Sequence, residues 1–150
     1  MMDLRELYQE VIVDHGRRPR NHGKLDGFNR TADGFNPLCG DKLRLYLKVD
    51  TSNVITGVSF EGVGCAISQA SASLMTEALK GKNVAQAESL FQSFHNVIMD
   101  HADPNHDVEL GKLTVLAGVK DYPSRVKCAT LAWHTLHAAL AERAEHASTE

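Results

Sequence analysis

The chain predicts an α+β domain, a small antiparallel β-sheet packed against several α-helices. Three patterns carry this expectation. An amphipathic helical stripe opens the chain, strict alternation with a central turn covers residues 42–60, and a run of helical segments fills the remainder. With 150 residues, 43% hydrophobic and 23% charged, and with no repeat or low-complexity run, a single domain over residues 1–150 can bury its own core.

The elements follow in order. Leu4, Leu7, Tyr8, Val11 and Ile12 share one helical stripe, which predicts a helix over residues 3–15, ending before Gly16. Residues 17–36, rich in Gly, Asn and Arg, read as a loop or a weak edge strand. From Lys42, Leu43, Leu45, Leu47 and Val49 fall on one face and Arg44, Tyr46 and Lys48 on the other, the pattern of a half-buried antiparallel strand. Asp50–Asn53 form a turn, and Val54, Thr56, Val58 and Phe60 continue the hairpin up to Gly62 and Gly64. Residues 67–80 read as a helix stopped by Gly81. Asn83 and Gln86 resemble a capping box for a helix over about 84–98. A polar stretch, 100–107, precedes a short helix near 109–118. Ser124 is placed to cap a last helix running to about Arg143.

Charge and composition exclude several classes. A net charge of −3 and a pI near 6.2 provide no basic field for nucleic acid. Met1-Met2-Asp3-Leu4-Arg5-Glu6 is too charged for a signal peptide, and no apolar stretch reaches membrane-spanning length, so a cytoplasmic protein with reduced thiols is expected. Neither a G-x-S-x-G nor a G-K-[ST] sequence is present. The small residues around Ser68, Ser71 and Ser73 suggest close helix packing instead.

The three cysteines carry the chemistry. Their number is odd and no pair forms C-x-x-C, so a disulfide framework is disfavoured. Their spacing matches no zinc-finger pattern, and a lone cysteine is usually a small buried hydrophobe. Context argues further. Cys39 and Asp41 flank Gly40 just before a strand, and in an extended segment both would point to one side. Cys65 lies between a strand and a helix start, where the helix dipole favours a thiolate. Cys128 is expected in the first turn of the last helix, beside Arg125 and Lys127. Three thiols and one carboxylate would complete a four-coordinate metal site. His134 and His137, at i and i+3, and Asp100-His101…His106-Asp107 are weaker metal candidates, read as helix and loop residues. Arg17, Arg18, Arg20 and Lys24 form a basic turn that solvates a surface or docks an acidic partner.

The segments N-P-L-C-G-D around Cys39, G-V-G-C-A-I-S-Q-A-S-A-S-L-M around Cys65 and R-V-K-C-A-T-L-A-W around Cys128 resemble the U-type iron–sulfur assembly proteins. The opening L-Y-Q-E-V-I-V-D-H and the P-R-N at residues 19–21 resemble that family too, and the likeness runs from about residue 7 to 137. Lys127 stands where the Isc-type scaffold carries a histidine, and residues 83–110 look like a helical insertion; both traits resemble the Suf-type branch, SufU. The resemblance implies Zn²⁺ held by Cys39, Asp41, Cys65 and Cys128, with Cys39 as sulfur acceptor and Arg125 lining the site or touching a partner. Cys39, after Pro37 and beside Gly40, also reads as the most approachable thiol. The implied activity is zinc-dependent sulfur transfer, with persulfide sulfur taken from a SufS-like cysteine desulfurase and passed to downstream iron–sulfur assembly proteins. A scaffold on which iron or a [2Fe–2S] cluster assembles is the alternative, and a structural zinc domain is a third reading. Neither nucleic acid nor membrane is expected as a partner.

Overall fold

The computed structural model describes residues 4–37, 40–98, 113, 116, 123–141 and 147–148. Its elements are α1 (Leu4–Arg17), β1 (Arg30–Asn36), β2 (Asp41–Val49), β3 (Ile55–Val63), α2 (Ala66–Leu79), α3 (Val84–Ile98), α4 (Pro123–Leu140) and β4 (Ala147–Ser148). The α+β expectation holds. β2 is central to an antiparallel meander, paired with β3 from Lys42↔Val63 to Val49↔Ile55 and with β1 from Arg30↔Leu47 to Asn36↔Asp41. The sheet order is β3-β2-β1-β4, with β4 adding a short parallel pairing at Gly34 and Phe35.

Leu43, Leu45, Leu47 and Val49 of β2 join Val58 and Phe60 of β3 on the inner face, where α2 and α4 cover them with Leu74, Met75, Leu79, Leu131 and Leu136. α4 is buried almost all round, which explains its weak amphipathic signal. α3 joins through Phe94, stacked on Trp133 at 4.4 Å between ring centroids. Val11 and Ile12 of α1 pack against the same core, as their stripe predicts.

Several boundaries differ from the sequence reading, each for a physical reason. The stretch read as loop or weak edge contains β1, a full strand flanked on both sides. Apart from the exposed Phe35 its side chains are small or polar, so backbone pairing holds it, with Arg44 bonding Asp33 across the ladder at 2.7 and 3.2 Å. Tyr46, expected on the open face, is buried. Phe28 lies edge-on to it at 4.9 Å, and its hydroxyl bonds Glu61. That bond, with burial, raises the phenol above its ordinary pKa. Residues 21–23 clip onto β3 through Phe60 N–H to Asn21 O at 3.0 Å and Gly23 N–H to Phe60 O at 2.8 Å.

α1 runs through Gly16 to Arg17. A Cβ at Gly16 would meet the Ala66 carbonyl at 3.2 Å, so glycine there lets α1 abut the start of α2. α4 begins at Pro123, which places Ser124 inside the first turn and Cys128 in the second. The Asn83–Gln86 capping box forms reciprocally at 2.7 and 2.9 Å, and Gly81, at φ 86°, follows α2 as expected. The expected polar stretch at 100–107 and short helix at 109–118 lie outside the described residues, apart from Leu113 and Leu116, which are buried in the core. Among the described residues, no helix is long and apolar enough to cross a membrane.

Candidate metal centre

One end of the sheet collects the chemistry. β1 ends at Asn36, directly paired with Asp41 at the start of β2, while Val63 ends β3 opposite Lys42. The chain then turns through Gly64 and Cys65 into α2, and α4 brings Cys128 to the same place. A carboxylate oxygen of Asp41 and the sulfurs of Cys65 and Cys128 all lie within 4.8 Å of one another. Residues far apart in sequence meet because three elements converge at one sheet end.

The donors are held, not loose. Asp41 is 1% exposed. Its Oδ1 accepts the Cys65 backbone N–H at 3.0 Å, and its Oδ2 accepts from Asn36 Nδ2 at 3.3 Å. A Cβ at Gly64 would stand 2.8 Å from that Oδ1, so only glycine lets the β3–α2 turn pass so close. Cys65 is the N-cap of α2 and its sulfur accepts from Ser68 N–H at 3.5 Å, a capping contact that fixes the sulfur at the helix start. Cys128 is fully buried; Asn36 Nδ2 approaches its sulfur at 3.8 Å, and its thiol lies 3.7 Å from the Ser124 carbonyl.

Cys39 lies outside the described residues. Its neighbours define a turn, with Gly40 N–H donating to Asn36 O at 2.9 Å and Gly40 at φ 71°. Because Gly40 is left-handed, the expectation that Cys39 and Asp41 share one side by simple strand alternation does not apply. Arg125 is exposed on the first turn of α4, and Lys127 is half-buried beside Cys128. Asn36 and Gly64 were missed by the sequence reading, although both stand within the cysteine-bearing segments.

Two thiols and a carboxylate from separate elements suit a borderline divalent metal such as Zn²⁺, with a further position left for another donor. The other candidates resolve differently. His15 is buried, with Nδ1 2.7 Å from Ser73 Oγ and Nε2 3.5 Å from Glu77, a tie between α1 and α2. Arg20 is paired with Asp14 at 2.6 Å and its backbone N–H donates to Ser73 Oγ, so the basic turn divides into latch and surface. The Arg20 guanidinium holds the Asp14 carboxyl below its ordinary pKa. The small residues of α2 pack closely on α4, with Ser71 Oγ donating to Ala129 O and accepting from Trp133 Nε1. His137 meets Glu88 at 3.1 Å, an acidic partner the sequence did not reveal. Phe91 sits among the rings of His95, His134 and His137. Those nitrogens do not converge as a metal group among the described residues.

Comparison with known proteins agrees with this arrangement. Residues 7–129 match the NifU-like N terminal domain family. The chain is 41% identical to the zinc-dependent sulfurtransferase SufU of Bacillus subtilis, over 93% of each chain. It is 42% identical to the iron–sulfur cluster assembly scaffold protein IscU of Streptococcus pyogenes, over 91% of this chain and 84% of that one. A solved structure from Fervidobacterium islandicum, named as a scaffold candidate for the SUF system, superposes with a TM-score of 0.81 at 37% identity, covering 92% of this chain and 99% of the other. Family match, relatives and superposed fold each span nearly all of the described chain: it belongs to the NifU-like N-terminal domain family, together with SufU and IscU proteins.

Proposed function

We propose that the protein is a zinc-dependent sulfur acceptor in iron–sulfur cluster assembly, serving a SufS-like cysteine desulfurase. The observation that carries this reading is the convergence of Asp41, Cys65 and Cys128 within 4.8 Å, at the sheet end where β1 stops and β2 starts. Cys39, Asp41, Cys65 and Cys128 would hold the metal, which when bound keeps cysteine sulfurs as thiolates at neutral pH. The similarity to a zinc-dependent sulfurtransferase along 93% of the chain supports the same reading.

The transfer itself is thiol–persulfide exchange. The Cys39 thiolate attacks the outer sulfur of the donor's persulfide, a new S–S bond forms on Cys39, the donor's S–S bond breaks, and the donor cysteine leaves as a thiolate. The outer sulfur carries its proton across, and no external oxidant or reductant is needed. The burial of Cys128 and the capping contact of Cys65 suit anchoring roles, which supports Cys39 as the reacting thiol. Arg125, exposed on α4, is proposed to contact a partner or to line the site.

The second reading, a scaffold for a [2Fe–2S] cluster, is favoured by the similarity to the Streptococcus IscU protein. One experiment separates them. The purified protein is incubated with a SufS-type desulfurase and cysteine, alkylated and mapped by peptide mass spectrometry, and its metal content is measured. Colourless protein with one zinc per chain and added sulfur on Cys39 is expected. Brown protein that forms a cluster from iron and sulfide, with no sulfur on any cysteine, would decide for the scaffold.

A further inference from the structure

The Asn36 side chain reaches two members of the centre. It is fully buried, and its Nδ2 donates to Asp41 Oδ2 at 3.3 Å while lying 3.8 Å from Cys128 Sγ. Both neighbours are acceptors, so the amide nitrogen, not the oxygen, must face them. The same residue's backbone carbonyl accepts the Gly40 N–H at 2.9 Å, between β1 and β2. One residue at the end of β1 thus touches β2, α4 and the glycine that precedes β2.

We infer that Asn36 is the positioning residue of the metal centre: its carboxamide sets the Asp41 carboxylate and the Cys128 sulfur relative to each other. This rests on the metal reading proposed above. With Cys65 N–H on Oδ1 and Asn36 on Oδ2, the carboxylate has a hydrogen bond on each oxygen. These two bonds leave each oxygen a free lone pair and fix the direction in which it points. Asp41 would therefore offer the metal a carboxylate of set orientation, and Cys128 a sulfur held in place by an N–H contact. Partners of this kind orient ligands, and their loss typically costs metal affinity by about 10- to 100-fold. A buried asparagine that merely satisfies itself would instead stabilise the turn through its backbone, leaving the ligand field indifferent to the side chain.

The test uses the full-length protein with Co²⁺ as a spectroscopic stand-in and Zn²⁺ in chelator competition. Asn36→Ala removes the donor, and Asn36→Asp keeps nearly the same shape but places a second carboxylate against Asp41. Both retain the backbone bond to Gly40. Shifted cobalt ligand-field bands and Zn²⁺ affinity lowered by about 10- to 100-fold are expected, with the greater loss for Asn36→Asp. The aspartate variant decides the matter if the alanine variant does not fold. Wild-type cobalt bands and zinc affinity in the variants would overturn the inference. A wild-type protein showing no thiolate-to-cobalt absorption would remove the metal reading itself, whereas normal wild-type binding with unaltered variants removes only the role of Asn36.

Discussion

At Gly64 one absent methyl group decides whether the carboxylate can sit where it does. An alanine there would place Cβ 2.8 Å from Asp41 Oδ1 and 3.1 Å from Ser68 Oγ. Asp41, buried and bonded on both oxygens, has nowhere to retreat. Gly64→Ala is expected to cost about 1–3 kcal/mol of stability and at least about tenfold in zinc affinity. Thermal melting and chelator competition, both matching wild type, would show that the turn yields at no cost. At this scale the sequence was legible in its chemistry and silent in its support. Thiols and a carboxylate announce themselves as ligands by type. Asn36 before a proline reads as a turn residue, and Gly64 as a strand terminator; only the approach of other elements makes either one part of a site.

Between elements, the seam of α3 and α4 is where pH should register. His134 packs near Phe91, His95 and His137, the last of these beside Glu88. Burial lowers its pKa, and the charges of His95 and His137 lower it further. The folded value therefore lies below the unfolded one, near about 6.5. As pH falls through that range the unfolded chain binds more protons, and stability is lost with it. His134→Gln should flatten part of the stability decline between about pH 7.5 and 5.5, measured as denaturant midpoints at matched zinc loading. A decline as steep as in wild type would exclude His134 as a source. Secondary elements with local signals were legible: the β2–β3 hairpin by alternation, α3 by its capping box, and the end of α2 by Gly81. β1 was legible only as a loop or weak edge, because a strand of sequence R-T-A-D-G-F-N, with Phe35 its one large apolar side chain, shows no hydrophobic period and exists through its neighbours' hydrogen bonds.

For the whole molecule, the centre ties one end of the sheet to α2 and α4, while the core of Leu45, Leu47, Phe60, Met75 and Leu131 lies beyond it. Zinc removal should therefore lower the melting temperature markedly without erasing the fold. Structural zinc can contribute on the order of 10 kcal/mol, and here part of that is shared with an independent core. Scanning calorimetry before and after chelation tests this, with hydrogen exchange expected to quicken first around Asn36, Asp41, Cys65 and Cys128. An unchanged melting temperature would mean no metal stabilises the chain.

By itself the sequence determined the α+β class, the hairpin at its centre and the residue types of a thiol–carboxylate centre, because each is written in local periodicity or in side-chain chemistry. The resemblance of its motifs to U-type assembly proteins followed from the same letters. Tertiary structure decided what no local window contains. It placed Asp41 against the Cys65 backbone, turned Gly40 left-handed so that strand alternation fails there, and moved Cys128 to the second turn of α4. It also brought Asn36 between two donors contributed by different elements. The physical reason is common to the Asp41–Cys65 and Asn36–Cys128 contacts. A hydrogen bond or steric limit between residues tens of positions apart depends on how elements pack, and packing is a property of the folded surface as a whole.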